Sequence, residues 1–139
     1  MKEAREAVLK SIYGVLNGTI VVDSLTIPYY IDYFGNQEYG IYKQSYRGEA
    51  DGTKHHFSEM ATIEIVCFAR GKSEDFVAEM SRRVRGALKA SVNSTLTLVG
   101  DLQATYTWVN NINCTTEIDD GQTMHRDVIS LIVRIDETT

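Results

Sequence analysis

The amino-acid sequence predicts an α+β fold: a mixed, mostly antiparallel β-sheet with two helices packed on one face. Two segments, residues 2–17 and 73–90, repeat apolar residues at helical spacing. The remaining apolar segments are rich in β-branched and aromatic residues, and the last of them has one fully apolar face. Connections are mostly short, which favours antiparallel neighbours under a helical layer. The order is helix, two or three strands, loop, strand, helix, then two or three strands.

In residues 2–17, Ala4, Ala7, Val8, Ile12, Val15 and Leu16 share one face, while Lys2, Glu3, Glu6 and Lys10 are polar. Asn17-Gly18 ends this helix, with Gly18 where a left-handed backbone is favoured. Residues 20–34 are strand-forming but contain Pro28, which cannot donate to a ladder. We expect a strand, a break near Asp23-Ser24 or Pro28, and a second strand from Tyr29. Residues 39–46 form a third candidate strand. Residues 47–58 are the longest polar, glycine-containing stretch, expected as an exposed loop ordered by a partner. Residues 59–68 alternate as a strand, with Ile63, Ile65 and Cys67 on one side.

Ser73 is placed to cap the second helix, with Glu74 and Asp75 at the positive end of its dipole and Arg82, Arg83, Arg85 and Lys89 toward the other. Phe76, Val77, Met80, Val84, Ala87 and Leu88 form its apolar stripe. Residues 95–99 read as a short strand and residues 103–118 as a long polar-rich one around Trp108. Asp119-Asp120-Gly121 is a hairpin turn, since glycine supplies the positive φ such turns need. Residues 123–135 return as the last strand. Its Ile129, Leu131, Val133 and Ile135 alternate with Val128, Ser130, Ile132 and Arg134.

At 139 residues the chain fits one domain, residues 1–139, with no repeat and no linker. Hydrophobic residues make up 43% and charged residues 24%, ordinary for a soluble globular protein. A net charge of −5 argues against a general nucleic-acid binder held by phosphate contacts. The charged start, Met1-Lys-Glu-Ala-Arg-Glu, has no apolar run behind it, so no secretory signal is expected. No stretch approaches the ~20 apolar residues of a membrane span, and no membrane partner is expected. Cys67 reads as a small buried hydrophobe, and its pairing with Cys114 is left open.

Gly71-Lys72-Ser73 ends like a phosphate-binding loop, but the glycine that pattern requires upstream is Val66. The adjacent His55 and His56 point in different directions if extended, and no Cys-x-x-Cys or helical His-x-x-x-His spacing exists. There is no Gly-x-Ser-x-Gly elbow, and the paired carboxylates Asp119 and Asp120 fall at an expected hairpin turn, where Asp is common for conformational reasons. The expectation is therefore no catalytic residue, no metal, no cofactor and no enzymatic activity.

Tyrosines are concentrated instead: Tyr29, Tyr30, Tyr33, Tyr39, Tyr42 and Tyr46 fall within eighteen residues. Tyrosine suits half-buried interfaces, and aromatic residues also favour strands, so either role accounts for the cluster. The candidate assembly interface is Tyr39, Tyr42, Tyr46, Arg47, Glu49, Asp51, Lys54, His55 and His56, together with Asp119 and Asp120 at the last turn.

The layout and several local strings resemble the tail terminator (tail completion) proteins of long-tailed bacteriophages. The strings are Ile27-Pro28-Tyr29-Tyr30-Ile31, the Thr62-to-Phe68 strand with its following helix, and Asp119-Asp120-Gly121-Gln122-Thr123-Met124-His125-Arg126-Asp127-Val128. That resemblance implies a structural virion protein of the tail or neck, made in the host cytoplasm. It would form a homohexamer ring at the head-proximal end of the tail tube, end tube polymerisation and join the tail to the head. Implied partners are other copies of itself, the tail tube protein and a head-completion or neck protein, with passing contact to genomic DNA in the lumen. Alternatives are another ring-forming phage neck or tube protein, or a small ligand-binding α+β module.

Overall fold

The computed structural model describes residues 3–32, 35–50, 58–88, 98, 102–119 and 121–137. Helix α1 (Glu3–Leu16) buries Ala4, Ala7, Val8, Ile12 and Leu16, the stripe its spacing dictates. Its end is tied off locally: the Asn17 amide donates to the Tyr13 carbonyl at 2.8 Å, and Gly18 takes φ +76°.

The chain then makes a small hairpin, β1 (Val21–Val22) and β2 (Leu25–Thr26), with Val22 paired to Leu25. Asp23 and Ser24 both have positive φ, 50° and 67°, as a two-residue mirror-image turn requires. The chain thus breaks at each of the two places that the sequence offered as alternatives, and the segments between are short. Strand β3 (Tyr29–Tyr30) has two residues and runs parallel to β4 (Tyr39–Ala50).

The main sheet has five strands in the order β3-β4-β5-β7-β6, where β5 is Ser58–Arg70, β6 is Leu102–Asp119 and β7 is Gln122–Glu137. All its pairings except β3 with β4 are antiparallel. Helix α2 (Glu74–Leu88) lies on it beside α1. Its N-terminus is capped as expected, the Phe76 amide donating to Ser73 Oγ at 3.2 Å. Glu79 accepts from Arg82 and Arg83 along the exposed face, and this donation holds its carboxyl below the usual range.

One large core lies between sheet and helices. Ile63, Ile65 and Cys67 of β5 and Ile129, Leu131, Val133 and Ile135 of β7 meet Phe76, Val77, Met80 and Val84 there, with the α1 stripe alongside. A smaller cluster of Val66, Phe68, Met124 and Val128 sits on the other face, packed by Tyr30 and Tyr42. Burial pushes the Cys67 thiol up. Cys67 is buried, Cys114 is exposed, and the two are not joined in a disulfide.

The loop expected over residues 47–58 is strand at its described ends. Arg47, Gly48, Glu49 and Ala50 are exposed, but they are not loop: they continue β4 and pair with Thr62, Ala61, Met60 and Glu59. Ser58 already belongs to β5 and is buried. Their polar composition reflects solvent on both faces of an outer strand, while the ladder itself comes from the partner strand. Deleting residues 48–56 would therefore remove paired strand. Asp51, Lys54, His55 and His56 lie outside the described residues, as does most of the strand expected over residues 95–99.

Candidate assembly surfaces

The β4–β5 and β6–β7 pairs connect at opposite ends of the sheet. Ser58 pairs with Asp136 and Arg70 with Met124, so the β4–β5 connection lies at one end of β5 and the β6–β7 connection beyond the other. Thirteen residues of β5 at ~3.3 Å each separate those ends by roughly 40 Å. The interface residues expected from sequence are thus divided. Arg47 and Glu49 sit on the first hairpin, exposed. Asp119 ends β6 opposite Gln122, and Asp120 lies outside the described residues. Gly121 makes that turn with φ +79°.

The tyrosines do not form one surface. Tyr39 packs edge-on against Phe76 at 6.0 Å on the helix side. Tyr42 packs against Phe68 at 5.7 Å on the other side and accepts a hydrogen bond from Arg126 at 3.0 Å. Tyr46 returns to the helix side. Its hydroxyl donates to Glu59 Oε2 at 2.6 Å, and Arg5 of α1 lies 5.7 Å over its ring. Burial, then the bond to the Glu59 carboxylate, push the Tyr46 phenol up. That carboxylate fills the space a side chain at Gly48 would need. These three tyrosines are therefore anchored within the subunit as well as near its surface.

Beyond β3, the outer edge of β4 has no neighbouring strand among the described residues, and β6 is the opposite edge. Such edges present unpaired backbone groups to other chains. Next to the first edge lies a groove of about 300 Å³ lined by Leu9, Lys10, Tyr13, Tyr29, Ile31 and Lys43. Burial raises the Tyr29 phenol to about 12. Tyr13 meets Tyr29 edge-on at 5.8 Å. Ile31 is 74% exposed on the rim, and Ile118, on the distal β6–β7 hairpin, is 73% exposed. Neither the groove nor Ile118 was singled out by the sequence. The groove gathers residues from three separate segments, and only Ile118, next to a charged turn, carried a local signal.

Among the described residues no group of three or more His, Cys, Asp or Glu is placed to hold a metal. No helix there is long and apolar enough to cross a membrane. The sequence matches no protein-family model and no curated protein. The fold, however, matches a chain of the solved structure "Virion of native gene transfer agent (GTA) particle", with a TM-score of 0.59. The match covers 96% of this chain and 94% of that chain at 12% identity, so what the two share is the fold over nearly their whole lengths.

Proposed function

We propose that this protein is a structural virion subunit, and within the virion a tail terminator. In this reading, copies form a ring at the head-proximal end of the tail tube, end its polymerisation and join it to the neck. The observation that carries the proposal is the near-complete fold match to a chain of a virion particle. The resemblance of the strand, helix and hairpin strings to tail terminators supplies the finer role. Two hairpins at opposite ends and open edges on both sides suit a subunit that contacts neighbours on several sides. Its work is assembly, without a catalytic step.

The tube protein and a neck protein are the proposed partners, and DNA passes through the lumen. The test is to add the purified protein to polymerising tail-tube subunits. Tubes should stop at a defined length with this protein at one end. Tubes that grow equally with and without it would refute the terminator role.

The groove favours a second reading, a small ligand-binding module, because a cavity of about 300 Å³ is at the lower limit of small-molecule sites. That reading requires a monomer that binds a small apolar molecule and leaves tube growth untouched.

A further inference from the structure

We infer that Ile118 of one copy seats in the groove between α1, β3 and β4 of the next copy. The inference rests on the ring proposal and names the contact that would build it. Among the described residues the exposed large hydrophobics are Tyr13, Val21, Ile31 and Ile118. Two of these four, Tyr13 and Ile31, line the groove, and Ile118 stands on the distal hairpin. An exposed apolar side chain and an exposed apolar groove on one subunit are complementary surfaces.

Charge supports the same pairing. Lys10 and Lys43 are the charged residues lining the groove. Ile118 stands in the run Glu117-Ile118-Asp119-Asp120, three acidic residues with no basic one. Rim charges of opposite sign steer association and fix register around an apolar centre.

Geometry makes the contact intermolecular. The groove lies at the β3–β4 edge and the hairpin at the β7–β6 edge, with β5 between them. Lys43 pairs with Ile65, which pairs with Ile129, whereas Ile118 pairs with Thr123 near the tip. Six residues along β7 separate those levels, roughly 20 Å, in addition to the width of the sheet. A subunit cannot fill its own groove. Different patches meeting head to tail form a heterologous interface, which closes into a ring when the rotation permits.

Cross-linking tests this directly. In a Cys114→Ser background, Ile118→Cys and Ile31→Cys are made separately and mixed, as concentrated protein and in assembled tails, with a short bismaleimide. The mixture should give a covalent dimer that neither protein gives alone, and a chain carrying both cysteines should give a ladder of multimers. Lys43→Glu or Glu117→Lys should each reduce cross-linking at least tenfold with unchanged thermal unfolding, and the two together should restore it. Tails that carry a ring of this protein but give no Ile118–Ile31 cross-link overturn this contact and leave the ring proposal standing. Tails with no ring of this protein overturn the ring proposal and the contact with it.

Discussion

At Gly40 a side chain has nowhere to go. A Cβ there would lie 2.3 Å from a ring carbon of Tyr30 and 3.2 Å from the Pro28 carbonyl oxygen. Tyr30 packs beside Phe68 over the smaller core, so Gly40→Ala must push it aside. We predict a loss of about 1–3 kcal/mol, as for other overpacked sites, read from the denaturant midpoint. Gly86, on α2 with open space around it, should behave oppositely, and Gly86→Ala should add about 0.5–1 kcal/mol. Equal effects at the two glycines would contradict the packing described. The buried phenols give a pH dependence of definite sign. Tyr29 is raised from 10.0 to about 12, and Tyr46 is raised as well, so the folded state favours the neutral phenol. The stability they contribute is intact below pH 10 and is lost as pH rises from there through about 12. Tyr29→Phe should flatten that alkaline decline, and an unchanged profile would show that Tyr29 does not titrate in the folded protein. The tyrosine cluster was visible in the sequence, but its division between two faces was not. Tyr42 and Tyr46 are four residues apart and share a side under strict alternation. The β-bulge between Lys43 and Ser45 shifts the register and sends them to opposite faces.

At the level of elements, the central layer of α2, β5 and β7 was legible because each signal agreed with the next. Ser73 caps, Phe76 to Leu88 repeat at helical spacing, and Ile129 to Ile135 alternate with no break. Leu131 and Met80 are fully buried in one cluster. Leu131→Ala or Met80→Ala should therefore cost roughly 2–5 kcal/mol in calorimetry or denaturant titration. Ser73→Ala should cost about 1 kcal/mol by leaving a first-turn amide without its cap. A neutral Leu131→Ala would mean that the last strand faces the other way. Two elements were not legible, for physical reasons. A break at Asp23-Ser24 was expected, but that it is a tight β1–β2 hairpin was not, because no glycine marks its positive φ. The far half of β4 is polar because it is exposed at the outer side of the sheet, and its extended form comes from pairing with β5, which composition does not encode.

Across the whole molecule, the order of elements carried the resemblance to tail terminators, and the fold is shared over nearly its whole length with a chain of a virion particle. The surfaces that would use that architecture are harder to see in a sequence. Residues 9–13, 29–31 and 43 meet only after the sheet and α1 are assembled, and their complement lies on a hairpin at the opposite edge. On the proposed function, this subunit works as a closed ring at the end of the tail tube. Cryo-electron microscopy of assembled tails should then show a ring of this chain at the head-proximal end of the tube, of six copies and about 94 kDa for a 15.6 kDa subunit. Density for this chain along the tube, at the distal tip or nowhere in the tail would contradict it.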